Sequence, residues 1–216
     1  MTAPDELVAV ATRLAAAGLS PGSTGNLSVR VGDELICSPT GSRLADLAEA
    51  GLSVVSLAGE HRGGPRPTKE TAMHRAMLLA DDSLRAVVHL HSSFAAAFSC
   101  LPDLDPDDAI PALTPYLAMK GGPVKLIDYF TPGDAAIFAP IHASTIAGHH
   151  ALLLAHHGSL VAGRTLSEAE EIAVELEEAA KMALITRGAG VRPLSAVALD
   201  ELAAMRRRRL ATAPPS

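Results

Sequence analysis

The stretch Ala86-Val-Val-His-Leu-His-Ser92 constrains this chain more than any other. Its β-branched pair in a short apolar run suits a central strand. Residues i and i+2 of a strand face the same way, so His89 and His91 project together, with Cα atoms about 7 Å apart. Two imidazoles so placed can grip one divalent ion. Ser92 reads as the N-cap of a helical run over residues 93–101, which sets the pair at the carboxyl end of the strand. The competing reading is one packed and one solvated histidine. His-x-His alone does not decide between them, because so short a motif recurs by chance.

Around this strand the apolar periodicity predicts alternating elements. Residues 5–17 form an amphipathic helix stopped by Gly18, and residues 27–31 and 34–38 pair as strands around Gly32-Asp33. Residues 52–57 make a third strand, and 61–67 are irregular. Helices follow at 68–79, 133–147, 165–187 and 194–210, with strands at 85–91, 124–129, 151–155 and 159–162. The three prolines and many acids of residues 101–114 mark a loop. Early paired strands, then single strands alternating with helices, predict one mixed sheet covered by helices on both faces. The length of 216 residues fits one domain, with no linker visible, and residues 211–216 read as a flexible tail.

Composition excludes several classes of function. A formal charge of −6 argues against general nucleic-acid binding, and Arg206-Arg-Arg-Arg209 reads as a solvated helix face. Two cysteines are too few for a disulfide framework, which suits the cytoplasm. The acidic N-terminus lacks a signal-peptide layout, and no apolar run is long enough to span a membrane.

A His-x-His pair needs a third ligand to make a catalytic metal site with an open position. The apolar stretch Leu152-Leu-Leu-Ala-His-His-Gly158 ends in two more histidines. His156 and His157 point to opposite faces if the strand continues, so one of them reaches the metal. Glu70 opens the helix before the His-x-His strand. An acid there suits the helix dipole, and it equally suits general acid/base work beside a metal. Composition does not choose between the two. The Gly-, Ser-, Thr- and Asn-rich loops at 20–26, 38–41 and 63–69 could present backbone N–H groups to an anion.

These residues together resemble the class II aldolase/adducin superfamily of metal-dependent aldolases, epimerases and decarboxylases. Ser23-Thr-Gly-Asn-Leu-Ser28 is similar to its Gly-Asn-x-Ser loop, and Ser38-Pro-Thr-Gly41 to its Pro-Thr-Gly turn. Val88-His-Leu-His91 is similar to its Val-His-x-His strand, and His157-Gly158 with Val161-Ala-Gly163 to its His-Gly segment. Glu70 stands 19 residues before His89 (89 − 70), the family's spacing.

The resemblance implies a three-layer α/β/α fold with a mixed, mostly antiparallel sheet. It implies one zinc per subunit held by His89, His91 and His157, the histidine directly before glycine. Glu70 becomes the acid/base and a fourth ligand when no substrate is bound. Asn26, Thr40 and Gly41 would hold a substrate phosphate. Thr68 and Lys69 stand where the family usually has two serines, so Lys69 adds a positive charge beside the base. A homotetramer with active sites between neighbouring subunits is also implied, the 101–116 loop reaching across.

Pro67-Thr-Lys-Glu70, Thr114-Pro-Tyr116, Pro132-Gly-Asp134 and the Glu-Glu-Ala-Ala-Lys run ending at Lys181 resemble the 3-oxo-tetronate 4-phosphate decarboxylase branch. Such an enzyme would take a phosphorylated sugar acid to dihydroxyacetone phosphate and CO2, with zinc as Lewis acid and an enediolate intermediate. The alternatives on this scaffold are a sugar-phosphate aldolase of the L-fuculose-1-phosphate type and a metal-free, adducin-like oligomerisation module. The decarboxylase and the aldolase share the enediolate. The residues around the departing group must therefore separate them, and Lys69, Tyr116 as a catalytic phenol and Lys120 as a substrate contact are the expected ones.

Overall fold

The computed structural model describes residues 2–212. In chain order it contains α1 (Ala3–Ala16), β1 (Asn26–Val31), β2 (Glu34–Cys37), β3 (Ser53–Ser56), β4 (His61–Gly63), α2 (Thr71–Ala80), β5 (Ala86–Leu90), α3 (Ser93–Phe98) and α4 (Pro115–Lys120). β6 (Val124–Ile127), α5 (Phe138–Ile146), β7 (Ala151–Leu154), β8 (Gly158–Gly163), α6 (Leu166–Ile185) and α7 (Ala196–Thr212) follow. The strands form one eight-stranded sheet in the order β4-β3-β2-β1-β5-β8-β7-β6. Every neighbouring pair is antiparallel except β6–β7.

The alternation of side chains along each strand divides the core in two. Leu27, Val29, Val88, Leu153 and Val161 pack with Leu7 and Leu14 of α1, Phe98 of α3 and Ile172 and Leu176 of α6. Leu35, Val87, Leu152 and Leu160 face the other way, onto Met73 and Met77 of α2 and Ile141 of α5. The result is the expected α/β/α sandwich. His89 shares the parity of Val87, so it faces α2. All five residues of β5 are buried, as befits a strand with helices on both sides.

Local chemistry explains most element ends. Thr2 and Asp5 cap α1 reciprocally, and the Thr165 side chain accepts from the Glu168 N–H at the start of α6. Ser92 occupies the N-cap position of α3, but its hydroxyl does not cap. It donates instead to the buried Glu177 of α6, whose carboxylate accepts from the Phe94 and Ala95 N–H groups at 2.9 and 2.7 Å. Glu177 is thus the cap of α3, supplied from another element.

The structure corrects the expected boundaries in several places. α2 begins at Thr71 rather than 68, with Glu70 at the N-cap. Residues 61–63, expected to be irregular, form the edge strand β4. A single 3-10 turn at Ala135–Ile137 precedes α5, which starts at Phe138. α4 was not expected, and Pro115 at its first position explains it, since proline's fixed φ and missing N–H suit a helix start. Of the expected tail, residues 211 and 212 complete α7, and residues 213–216 lie outside the described residues.

Candidate metal centre

The antiparallel register sets Asn26 opposite His89, and His89 opposite Leu160. Strand β7 ends at Leu154, and the tight turn to β8 carries His156 and His157 past the carboxyl end of β5. His156 is the single non-glycine residue with positive φ (56°) among the described residues. That left-handed turn is why the strand parity argument does not apply to the pair. It leaves His156 exposed, its ring 6.2 Å from that of Tyr129, and points His157 inward. Gly158 is required for the approach of the two strands: a Cβ there would lie 2.2 Å from the Leu90 carbonyl oxygen. Gly25 plays a like part before β1, with φ of +76° and its would-be Cβ 2.9 Å from the His89 carbonyl oxygen.

Four side chains converge at this strand end. His91 Nε2 lies 2.9 Å from His89 Nε2 and 3.0 Å from His157 Nε2. The Glu70 carboxylate reaches His89 Nε2 through Oε2 and His157 Nε2 through Oε1, each at 3.5 Å. The four ligand atoms all lie within 4.8 Å of one another. His89 Nδ1 is 2.8 Å from the Ser159 carbonyl oxygen, which can only accept, so Nδ1 carries the proton and the Nε2 lone pair faces the group.

Burial, first, and the neighbouring imidazoles push His89 well below the usual histidine range. Burial leads at His91 too, with His157 and the Lys69 charge adding and Glu70 opposing. At His157 burial again leads, Glu70 opposes it, and Lys69 adds to the lowering. The three rings are neutral, so the Glu70 contacts are not ion pairs. Lone pairs crowd together there without enough protons to bridge them, and a cation relieves that crowding. Donor-atom spacings of 2.9 to 3.5 Å also bracket the edge, about 3.3 Å, of a tetrahedron with bonds of 2.0–2.1 Å. The donor set therefore fits a divalent metal.

The loops named as an anion cup lie side by side at this end. The Ser38 hydroxyl accepts from the Leu27 N–H, the Thr68 N–H donates to the Ser38 carbonyl, and the Thr40 N–H donates to the Arg66 carbonyl. Thr40 and Gly41 are exposed, while Thr68 is buried with its hydroxyl accepting from the Glu70 N–H at 3.3 Å. Lys69 is exposed and runs along Gly133, in the loop after β6, which with Pro132 and Asp134 walls a narrow cleft over Glu70 and His157. Asn26 turns its amide to Glu70, Nδ2 to Oε2 at 2.8 Å.

Lys120 is not brought to the group by its own chain. It ends α4 at the opposite end of the central strands, beside Gly163, and pairs with Glu171 and Glu175 of α6 at 3.1 and 3.7 Å. Residues 115–120, given no element from the sequence, form a helix packed on α6 and α7, which carries Lys120 away from Glu70. Tyr116 lies on the same helix, 56% exposed. Two buried residues that join the site were not singled out: His74, one turn after Glu70 on the same helix face, and Ser28 on β1. The i, i+4 spacing of Glu70 and His74 was the available signal.

A carboxylate and three neutral imidazoles at a strand end of an α/β/α sandwich define a protein able to hold one divalent ion in a reactive setting. The chain belongs to the class II aldolase and adducin family, whose N-terminal domain description matches residues 5–184. A Pectobacterium atrosepticum protein named 3-oxo-tetronate 4-phosphate decarboxylase is 40% identical over 198 residues, 91% of this chain and 90% of that one. A Rhodospirillum rubrum 5-methylthioribulose-1-phosphate/5-deoxyribulose-1-phosphate aldolase is 38% identical over 177 residues, 81% of this chain and 77% of that one. The crystal structure of YgbL from Klebsiella pneumoniae superposes with a TM-score of 0.89 at 38% identity, covering 93% of this chain and 97% of that one. The named activities of these relatives break or form carbon–carbon bonds, and the chain is a carbon–carbon lyase. No described helix is long and apolar enough to cross a membrane.

Proposed function

We propose that this protein is a zinc-dependent decarboxylase acting on a 3-oxo-tetronate 4-phosphate, with dihydroxyacetone phosphate and CO2 as products. The observation that carries the reading is the convergence of Glu70 with His89, His91 and His157 within 4.8 Å, in a chain with a decarboxylase-named relative at 40% identity. When bound, zinc supplies a Lewis acid for the substrate's ketone oxygen. Glu70 then holds the proton that the carbon accepts once CO2 has left. Asn26 orients that carboxylate from 2.8 Å, and Pro132 and Gly133 wall a narrow cleft beside it.

In this reading Thr40, Gly41, Thr68 and Asn26 hold the phosphate, and Lys69 gives it a cation. A salt bridge from Lys69 to the substrate carboxylate would oppose loss of CO2 by stabilising the ground state. The phosphate is therefore its partner in this reading. Tyr116, far from its own metal group yet exposed, is assigned to the site of a neighbouring subunit in a cytoplasmic homotetramer. Lys120 is given no part in it.

The aldolase reading is kept because the Rhodospirillum relative is nearly as similar. The two separate in one experiment. Purified, zinc-loaded protein is given 3-oxo-tetronate 4-phosphates, and separately dihydroxyacetone phosphate with lactaldehyde. Release of CO2 and dihydroxyacetone phosphate from the first, with no condensation in the second, is expected. Efficient condensation without CO2 release would establish the aldolase instead.

A further inference from the structure

His74 is fully buried in the middle of α2, and the chemistry above gives it no part. Its two ring nitrogens are both engaged. Nε2 lies 2.6 Å from Asn26 Oδ1, and Nδ1 lies 2.8 Å from Ser28 Oγ. Asn26 in turn directs Nδ2 to Glu70 Oε2 at 2.8 Å. Ser28, His74, Asn26 and Glu70 thus form one unbranched chain, running from the interior of β1 to the metal group.

The direction of the protons in that chain follows from its carboxylate end, since the Ser28 hydroxyl can donate or accept. A carboxylate can only accept, so the Asn26 amide must offer its NH2 to Glu70 and its carbonyl to His74. The carbonyl needs a donor, so His74 carries its proton on Nε2. Nδ1 is then an acceptor, and the Ser28 hydroxyl must donate to it. Burial supports this, lowering His74 to about 3, so the ring is neutral with a single N–H. With the opposite tautomer the amide would flip, and its carbonyl would face the carboxylate at 2.8 Å unless Glu70 took up a proton.

We propose that His74 is a positioning residue of the metal group. Hydrogen-bonded to Ser28 on one ring nitrogen and to Asn26 on the other, it fixes the Asn26 amide so that Nδ2 keeps the Glu70 carboxylate turned toward the three imidazoles. The inference rests on the reading of the four residues as a metal site and is independent of the reaction. Outer partners that orient metal ligands are worth about 10–100-fold in metal affinity.

The test uses full-length protein loaded with cobalt(II), whose visible absorption reports ligand number, together with chelator competition for affinity. Ser28→Ala, His74→Leu, His74→Gln, Asn26→Ala and the His74→Leu/Asn26→Ala double variant are compared with wild type. His74→Leu is expected to weaken cobalt binding by about 10–100-fold and to reduce the intensity of its absorption, as Glu70 leaves the ion. Ser28→Ala should weaken binding less, because it removes only the partner of the second ring nitrogen. His74→Gln, which restores an N–H for Asn26, should recover most of the affinity.

The double variant should bind no worse than Asn26→Ala alone, because His74 acts through Asn26. A general packing defect would not give that non-additivity. Wild-type affinity and spectrum in both Ser28→Ala and His74→Leu would overturn the proposal, as would full additivity in the double variant. Should His74→Leu not fold, wild-type behaviour of Ser28→Ala together with failure of His74→Gln to recover binding would overturn it. If wild type itself bound no cobalt, the metal reading would fall, and this inference with it.

Discussion

Glu70 stands at the N-cap of α2, where the helix dipole alone would favour an acid, yet its side chain makes no capping bond. It turns inward, 5% exposed, to Asn26 and the imidazoles. That orientation sets it beside the imidazoles and not at the helix end as a cap. Glu70→Gln should therefore fold normally, since no cap is lost, while turnover falls by about 10³-fold because an amide cannot exchange the proton. Circular dichroism and a steady-state CO2 assay check both halves, and near-normal turnover would mean that another group protonates the carbon.

At this scale the sequence was most readable where a local period set the geometry. His89 and His91 share a face because strands repeat every two residues. The Asn26–Glu70 contact joins residues 44 positions apart and was not readable, because it depends on the long-range pairing that sets Asn26 opposite His89. Asn26 was assigned to phosphate on resemblance alone, and the structure adds that its amide faces the carboxylate.

Among elements, the sharpest departure from local expectation is the start of α3. Ser92 is a favoured capping residue in a favoured position, and the cap comes instead from Glu177, 85 residues away. Glu177 lies mid-helix in α6 at 4% exposure, where an acid reads as a solvated face until the packing of α3 on α6 is known. The carboxylate ties the segment after His91 to the longest helix and so anchors one metal ligand from behind. Glu177→Ala would strand the Ser92 hydroxyl and two backbone N–H groups, and a loss of about 3 kcal/mol in urea unfolding is expected. A loss under about 0.5 kcal/mol would show that water satisfies those donors.

The elements missed in the sequence have their own physical reasons. Three-residue β4 is held by pairing with β3, not by its composition, and α4 was hidden by the prolines that precede it. Helices with an apolar stripe, α1 and α6 above all, were legible because burial there follows the 3.6-residue period.

For the whole molecule, the buried neutral histidines make stability depend on pH. The unfolded chain protonates His74 near 6.5, whereas the folded chain does so only near 3. Below 6.5 the unfolded state binds more protons, so the associated stability is complete above 6.5 and is lost as pH falls toward 3. His89, His91 and His157 act in the same direction. The urea midpoint of chelator-treated protein should fall steadily between pH 7 and pH 4.5, and less steeply in His74→Gln. A flat midpoint over that range would contradict the neutral assignment.

The exposed Tyr116 and the long 101–116 segment also belong to this scale, because the proposed tetramer assigns them to a neighbouring subunit's site. Light scattering should give four chains per particle at micromolar concentration. A fully active monomer would remove Tyr116 from the chemistry.

The chemistry assigned to this chain depends on one divalent ion bound by His89, His91 and His157 with Glu70 beside it. A crystal of zinc-loaded protein, measured at the zinc absorption edge, tests that directly. One anomalous peak per chain is predicted, about 2.0–2.1 Å from an Nε2 atom of each of the three histidines. A peak bound by His156 with His157 turned away, or no peak from protein shown to be zinc-loaded in solution, would contradict it.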